Sequence, residues 1–469
     1  MCMYNKNTNM NCIFVCVFNN PNYVDMVFLL LESILIYGKL DDNTNVLIYT
    51  TTQFMQRIKE SHLYNNKIEF EINDSYNSID SACKSRLDFF ELQSISKYSK
   101  ILYLDTDILV TQSINKVFDI CTKEILYALE EGEIDHPIDY WGNSLFGDLV
   151  KNYSDKSAFT SGILLFKNCE TIRDLFCKIK EDIRIRPYKF DVYDQPYIVY
   201  NSFIYNLYDN KVLKAYARNE GNDINNINNV TSNDTVIRHF CGGPGVYEHK
   251  IQRMRKVLNM LKDYTITNNI TRAKQYINEH LLPIIQSCNE PLEGNIFMFH
   301  HTTTYTDLFL NKAKNISNIV LHSHIQNVME IGFNAGFSAL LILLTNLNVK
   351  LSCFDLGEHS YTLPCYLKLK ETFGDRISFT QGDSTKTLTT ESTKYDVIHI
   401  DGGHSTEVAE SDICNSYRLS KLGSVIVMDD YDFPNLHELW DLYVDLYKLS
   451  PLNINTYASP HHDIKYVPR

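Results

Sequence analysis

Short apolar runs of strand length alternate with stretches of helix length along the first hundred residues. The runs at 13–17, 46–49 and 68–71 have the composition of strands, and the stretches at 24–37, up to about 60, and from about 81 to 97 have that of helices. This alternation predicts βαβ units on a mostly parallel sheet, and so an α/β fold. Because ligands of such sheets bind beyond the carboxyl ends of the strands, polar residues at those ends are the first candidates for a functional site.

Length and composition exclude several classes of protein. A chain of 469 residues is too long for one ordinary core, so we expect two domains of roughly 200–250 residues. The net charge of −13 argues against nucleic acid as the main partner. The 12 cysteines are scattered without a C-x-x-C pair, which favours a reducing compartment. With no recognisable signal peptide or transmembrane segment, we expect a cytoplasmic protein, and homo-oligomer formation stays open.

An apolar run at 100–110 is interrupted by Asp105, Thr106 and Asp107. If the run is one strand, alternation puts Asp105 and Asp107 on one face and Thr106 on the other. Two carboxylates among aliphatic side chains repel each other unless a cation lies between them. An oxygen-rich pair of this kind suits Mg²⁺ or Mn²⁺, and the metal in turn suits a diphosphate. The alternative is that the two aspartates only begin a turn.

Several motifs of the first half occur together in one enzyme family. They are the strand and Asn-Asn-Pro-Asn-Tyr turn at 14–23, the run 98–107, Phe159-Thr160-Ser161-Gly162, Tyr193-Asp194-Gln195, and the strand 236–242 with its histidine. Together they resemble glycogenin and its bacterial galactosyltransferase relatives, which are retaining, metal-dependent family 8 glycosyltransferases of the GT-A fold. The resemblance implies a Rossmann-like domain that binds a nucleotide sugar, most simply a UDP-sugar, with Mn²⁺ or Mg²⁺ and a glycan or glycoconjugate acceptor.

The same resemblance implies roles for individual residues. The residues implied to contact the donor are Val17, Asn19, Asn20, Tyr23, Arg86 and Thr106. Tyr23 would stack on uracil. Asp105, Asp107 and His239 would bind the metal. Asp194 would bind hydroxyls of the donor sugar, and Gln195 would lie near the reacting anomeric carbon.

The chain departs from the family pattern at two places. Thr160 stands where the family has Asn, and Gly245 stands where a lysine contacts the diphosphate. His249 and Lys250 follow shortly and are candidate substitutes for that lysine. Structural alternatives also exist, because Asp-Gln before a proline can cap a helix and a histidine in an apolar strand can be a core residue.

The stretch that follows is polar, has helical periodicity and contains several basic residues, with a possible break near 288–291. We interpret it as a helical connector at 251–300 between a first domain at 1–250 and a second domain at 301–469. A solvated helix face explains its basic residues better than a phosphate-bearing ligand does.

The second half contains a strand that runs into a glycine-containing turn and a helix. Glu330, Gly332 and Gly336 mark this turn, and Asp355 ends the next strand, where an acidic side chain would accept hydrogen bonds from ribose hydroxyls. Asp383 and Ser384 end the third strand, a position suited to the adenine edge. The order of these strands and helices resembles that of Rossmann-like class I methyltransferases, which use S-adenosylmethionine. An NAD-binding domain is the structural alternative.

Acidic residues follow two later strands of this half. Asp401 ends one strand, and Asp429 with Asp430 ends the next, which is similar to metal-dependent sugar O-methyltransferases. That similarity implies three oxygen ligands for Mg²⁺, which would lower the pKa of a bound hydroxyl, and His404 as the group that takes its proton. The alternatives are that His404 contacts the start of a helix and that Asp429-Asp430 forms a turn.

The two halves together predict a bifunctional transferase that adds a sugar and methylates a sugar hydroxyl. The alternative is that one domain has lost catalysis and serves as a nucleotide- or glycan-binding scaffold, with the first half favoured for that loss by Thr160 and the missing lysine. Glucosylation of one of the chain's own tyrosines is a third hypothesis.

Overall fold

The computed structural model describes residues 10–187, 193–221, 235–242, 247–452 and 456–468. Gly245, where the family lysine is missing, lies outside these residues. The chain divides into two compact units, one formed by Met1–Ile58 with Leu63–Leu261 and the other by Lys59–His62 with Lys262–Arg469. The predicted α/β architecture with two domains is confirmed.

Seventeen strands are present in the described part of the chain. They are β1 (Met10–Val17), β2 (Thr44–Thr50), β3 (Ile68–Ile72), β4 (Tyr98–Leu104), β5 (Ile108–Val110), β6 (Leu126–Glu133), β7 (Ser157–Lys167), β8 (Tyr208–Asp209), β9 (Ala217–Asn219), β10 (Ile237–His239), β11 (Asn327–Ile331), β12 (Lys350–Asp355), β13 (Ile377–Gln381), β14 (Tyr395–Ile400), β15 (Ser420–Met428), β16 (Ser450–Pro451) and β17 (Asp463–Tyr466).

The α-helices in the same ranges are α1 (Pro21–Ser33), α2 (Thr52–Lys59), α3 (Ile79–Lys84), α4 (Asn115–Asp119), α5 (Asn143–Phe146), α6 (Glu170–Ile185), α7 (Gln195–Ile204), α8 (Tyr247–Tyr276), α9 (Leu282–Ser287), α10 (Leu310–Val320), α11 (Phe337–Thr345), α12 (Thr362–Phe373), α13 (Ser384–Thr387), α14 (Thr406–Leu419) and α15 (Pro434–Tyr447). Among the described residues, none of the helices is long and apolar enough to cross a membrane.

The first unit is built on a seven-stranded sheet in the order β3-β2-β1-β4-β7-β6-β8. Its first four strands are parallel, whereas β7 is antiparallel to both β4 and β6. A smaller sheet in the order β5-β10-β9 lies in the same unit. The predicted helix from about 81 to 97 is wrong, because this segment consists of α3 and two 3₁₀ helices, Ser85–Glu91 and Gln93–Lys97.

The second unit has a seven-stranded sheet in the order β13-β12-β11-β14-β15-β17-β16. Its strands are parallel except β17, which is antiparallel to both β15 and β16. A dinucleotide-binding fold has its strands in the order 3-2-1-4-5-6. The antiparallel strand inserted beside β15 therefore disfavours the NAD-binding alternative.

Candidate functional site

The segment Asp105-Thr106-Asp107 is a turn that joins β4 of the large sheet to β5 of the small one. The prediction that alternation in one strand aligns the two carboxylates is therefore wrong. Instead, β5 pairs with β10 so that Ile108 lies opposite His239, and the Phe240 N–H donates to the Asp107 carbonyl at 2.9 Å. This pairing brings ligand atoms of Asp105, Asp107 and His239 within 4.8 Å of one another.

The electrostatics of this cluster centre on Asp107. His239 Nε2 lies 3.4 Å from one oxygen of Asp107, and Lys250 Nζ lies 2.6 Å from the other. Burial raises the pKa of Asp107, but Lys250 and His239 outweigh it and hold the pKa well below its usual range. His239 Nδ1 lies 3.0 Å from the amide oxygen of Asn219 and donates to it, which leaves Nε2 facing Asp107.

Gly162 of β7 forms one wall of the cluster. A Cβ at this position would lie 2.6 Å from His239 Cε1 and 2.8 Å from Asp105 Oδ2. Only glycine lets the backbone approach the ligand atoms this closely. Two carboxylates and an imidazole, held against a backbone without a side chain, fit a Mg²⁺ or Mn²⁺ ion by donor type.

Arg86 connects the cluster to the predicted sugar-binding residue. Its guanidinium lies 3.2 Å from Asp105 Oδ1 and 2.9 Å from Asp194 Oδ2, and it donates to the Ser161 carbonyl at 2.6 Å. Burial raises the pKa of Asp194 to about 6, although Arg86 opposes this shift. Arg86 Nε–H points at the Cys83 carbonyl, so Asp194 Oδ2 has an ion-pair partner but accepts no hydrogen bond within the described ranges.

A cavity of about 150 Å³ opens beside this cluster. It is lined by Tyr23, Arg86, Thr106, Lys250 and both aspartates of the turn. Tyr23 also packs edge-on against Tyr247, with ring centroids 5.0 Å apart.

The remaining predicted donor contacts are Val17, Asn19 and Asn20. None of them belongs to the lining of this cavity. Val17 lies in the core, Asn19 has a left-handed backbone, and the Asn20 side chain caps α1 by accepting the Asn22 N–H at 2.9 Å. Their contact with a donor stays a prediction.

Gln195 and Thr160 are held by backbone groups. Gln195 Oε1 accepts the Ser161 N–H at 2.9 Å, and its Nε2 donates to the Tyr140 carbonyl at 3.2 Å. Thr160 Oγ1 accepts the Gly162 N–H at 3.2 Å. The threonine that replaces the family asparagine therefore supports the glycine wall of the cluster.

In the second unit, the turn after β11 is held by Asp355. Its Oδ2 accepts the N–H groups of Phe333 and Asn334 at 2.7 and 2.9 Å, and its Oδ1 accepts that of Gly357 at 2.7 Å. A carboxylate has about four lone-pair sites, so Asp355 keeps acceptor capacity for a further donor such as a ribose hydroxyl.

Two glycines give this turn its shape. Gly332 has φ +91°, and a Cβ there would lie 1.8 Å from the Asp401 carbonyl, while Gly336 begins α11 with φ +74°. Glu330 is fully buried in β11. Asp383 caps α13 by accepting the Thr385 N–H at 3.0 Å, and Ser384 is the first residue of that helix.

Asp401, Asp429 and Asp430 converge at the ends of β14 and β15, with ligand atoms within 4.8 Å of one another. His404 Nε2 lies 2.9 Å from Asp430 Oδ2, and this hydrogen bond raises the pKa of His404. Ser405, and not His404, caps α14. The alternative role of His404 at the helix start therefore loses its support.

Lys312 of α10 belongs to the same cluster, although nothing in its sequence context marked it. Its Nζ lies 2.6 Å from Asp429 Oδ1 and 3.8 Å from Asp430 Oδ1. Burial lowers the pKa of Lys312, but the aspartates outweigh it and raise the pKa overall. Three carboxylates fit a hard cation by donor type, and an ion at this cluster would share Asp429 with the Lys312 ammonium group.

The two halves match different family models. Residues 22–244 match the model described as glycosyl transferase family 8, and residues 329–431 match one described as a methyltransferase domain. The first region is therefore similar to family 8 glycosyl transferases and the second to methyltransferases. Both families are transferases, and the resemblance inferred from the motifs is confirmed in each half.

Solved structures similar to this chain include WbbM, LgtC and StiE O-MT. The apo bifunctional glycosyltransferase WbbM is 14% identical with a TM-score of 0.40, over 53% of this chain and 50% of that one. The galactosyltransferase LgtC, in complex with donor and acceptor sugar analogs, is 15% identical with a TM-score of 0.37, over 54% of this chain and 96% of that one. StiE O-MT is 20% identical with a TM-score of 0.23, over 27% of this chain and 46% of that one.

The chain thus spans about half the length of WbbM. No curated protein matches its sequence.

Proposed function

We propose that the chain is a bifunctional glycan-modifying enzyme. Its first domain, at 1–250, transfers a sugar with retention from a nucleotide sugar, of which a UDP-sugar is the first choice. Its second domain, at 301–469, methylates a sugar hydroxyl with S-adenosylmethionine, and 251–300 connects the two. The two family matches support these reaction classes, and the two activities belong together because a newly added sugar supplies hydroxyl groups for methylation.

The observation that carries the first activity is the convergence of Asp105, Asp107 and His239 against Gly162. A divalent cation held by the three side chains would neutralise charge on the diphosphate leaving group. Lys250, already 2.6 Å from Asp107, takes the place of the family lysine and adds a second positive charge. Its presence at the cavity weakens the argument that this half has lost catalysis.

Asp194 and Gln195 act on the sugar side of the same site. Asp194 accepts hydrogen bonds from donor-sugar hydroxyls while Arg86 holds its carboxylate in place. Ser161 and Tyr140 hold the Gln195 side chain in place before the donor binds, which supports its proposed role near the anomeric carbon. Preorganised groups of this kind lose little entropy when the reaction begins.

In the second domain, His404 accepts the proton of the hydroxyl that is methylated. Asp430 orients its imidazole, and Asp401, Asp429 and Asp430 would hold Mg²⁺, which makes a bound hydroxyl more acidic. The glycine turn at 332–336 and Asp355 form the site for S-adenosylmethionine, with Glu330, Asp383 and Ser384 around it.

The first activity is tested by incubating the full chain with a panel of nucleotide sugars and Mn²⁺. We expect hydrolysis or transfer with at least one UDP-sugar and its loss in Asp107→Ala. Asp80→Ala is the matched control, because Asp80 is an exposed partner of Lys84 on α3. Undiminished turnover in Asp107→Ala contradicts the metal role of the turn.

The second activity is tested with labelled S-adenosylmethionine and glycan acceptors, including the product of the first reaction. We expect methyl incorporation that disappears in Asp401→Asn and after removal of divalent cations. If the chain binds S-adenosylmethionine but methylates no hydroxyl in any acceptor, the proposed reaction is wrong.

A second candidate function is that only one unit is catalytic and the other binds nucleotide or glycan as a scaffold. The observation that favours it is Lys312, whose ammonium group already balances Asp429 without a metal. Calorimetry with UDP or S-adenosylmethionine, with and without Mn²⁺ or Mg²⁺, separates the two candidates. Ligand binding in a unit that gives no turnover supports the scaffold.

A further inference from the structure

A second cluster of ligand-type side chains lies in the core of the second unit. His399 is in β14, Asp429 follows β15, and His462 precedes β17. These are neighbouring strands, paired so that His399 lies opposite Val427 and Met428 lies opposite Asp463. The pairing brings one ligand atom from each of the three side chains within 4.8 Å of the others, and all three residues are buried.

The polar atoms of this cluster do not satisfy one another. Asp429 Oδ2 lies 3.4 Å from His462 Nε2 and 3.6 Å from His399 Nε2. These atoms, together with His462 Nδ1, have no hydrogen-bond partner among the residues described. Buried nitrogen and oxygen atoms without hydrogen bonds are costly, so their convergence on one point indicates a ligand-binding site.

The two distances suit a metal ion better than hydrogen bonds. Metal–nitrogen and metal–oxygen bonds of about 2.0–2.2 Å at tetrahedral angles place neighbouring ligand atoms about 3.3–3.6 Å apart. The two measured separations lie in this range. Hydrogen bonds between the same atoms would need about 2.7–3.2 Å and good alignment.

His399 is oriented from its other side. Its Nδ1 lies 3.3 Å from Glu330 Oε1, and the Cys353 thiol donates to Glu330 Oε2 at 3.7 Å. In zinc sites, a histidine that binds the metal through one ring nitrogen usually donates the N–H of its other ring nitrogen to a carboxylate. Glu330 and Asp429 place two negative charges near the ion, and Lys312 on the other oxygen of Asp429 offsets part of them.

We propose that His399, His462 and Asp429 bind a transition metal ion, and that Zn²⁺ is the ion that fits this donor set. Two imidazoles favour such a metal over Mg²⁺. The site is separate from the acidic cluster of Asp401 and Asp430, although both use Asp429. Asp429 Oδ2 faces the histidines, whereas its Oδ1 faces Lys312 and the Asp430 N–H. The ion therefore fixes the carboxylate that the methylation site shares, and only this consequence rests on the proposed function.

The test is the metal content of the full chain, purified without a histidine tag and dialysed against EDTA to remove weakly held ions. We expect about one transition metal ion per chain by mass spectrometry. His399→Gln and His462→Gln should each lower it at least tenfold. Reconstitution of metal-free chain with Co²⁺ should give the intense visible absorption of a tetrahedral site in the wild type and not in the two variants.

The controls separate this site from its surroundings and from the proposed methylation. His437→Gln removes a histidine that is half-exposed and paired with Asp441, and it should leave the metal content unchanged. Asp401→Asn should abolish methylation yet keep the transition metal, so failure of either proposal is distinguishable from failure of the other. A wild-type chain with no metal above the buffer and no Co²⁺ absorption overturns the inference, as does full metal content in His399→Gln. Because the metal content and the Co²⁺ absorption can both be measured on the wild type, an unfolded variant does not prevent the test.

Discussion

Replacing Gly162 by alanine tests whether the Asp105, Asp107 and His239 cluster is the catalytic metal site. The new Cβ would lie 2.6 Å from His239 Cε1, whereas ordinary contacts begin at 3.4 Å, so the ring must move by about 0.8 Å. The ring cannot move freely, because His239 is buried in β10 and its Nδ1 donates to Asn219. Overpacking of this kind costs about 1–3 kcal/mol of folding stability.

The expected effect on activity is larger than the effect on stability. A misplacement of about 1 Å in a catalytic group can lower the rate about 100-fold. We therefore expect Gly162→Ala to lower Mn²⁺-dependent turnover of the nucleotide sugar by about this factor and to raise the Mn²⁺ concentration needed for half-maximal rate. The measurement is a Mn²⁺ titration of turnover, with thermal melting to confirm that the variant is folded.

Gly221→Ala is the matched control in the same unit. A Cβ at Gly221 meets nothing within 4 Å, so this variant should behave as the wild type. Wild-type turnover and an unchanged Mn²⁺ requirement in folded Gly162→Ala would refute the assignment of the metal to this cluster.

Three further predictions concern charge. Lys250→Met removes a charge-assisted contact of about 1.5–3 kcal/mol, so UDP affinity in Mn²⁺, measured by calorimetry, should fall about 10- to 100-fold. Because burial raises the pKa of Asp194 to about 6, glycosyl transfer that needs its carboxylate should fall as the pH drops below about 6. The pKa of Asp194 is higher in the folded than in the unfolded chain, so its contribution to stability is present at low pH and is lost as the pH rises through about 6. Stability should therefore fall over the pH range in which activity rises, and melting curves of the wild type and Asp194→Asn at several pH values should show this difference. The hydrogen bond to Asp430 raises the pKa of His404, so methyl transfer should increase as the pH rises above the usual imidazole range, and His404→Gln should lower its rate about 10²- to 10⁴-fold.

Each of these predictions has a control variant or an outcome that would contradict it. Lys214→Met removes an exposed lysine paired with Glu130 and should leave UDP binding intact. A transfer rate in Asp194→Asn with the same pH profile as the wild type would rule out the carboxylate as the titrating group. His437→Gln has the same side-chain exposure as His404 and should keep full methylation.

The sequence by itself determined the α/β class, the order of its elements and most of the candidate residues. Periodicity and strand-end polarity are local properties, so Asp105, Asp107, Asp401 and the Asp429-Asp430 pair could be found from the chain alone. The motifs also carried enough residue-specific information to predict the resemblance to both families.

Tertiary structure decided which of these residues meet and what surrounds them. The two carboxylates of the turn converge on His239 because β5 pairs with β10, and that pairing is not visible in the local sequence. Lys312 and His462 had no motif to mark them, because they reach Asp429 from a distant helix and from the segment before an antiparallel strand. The charge balance of a buried cluster depends on every group packed against it, and only the folded chain specifies those groups.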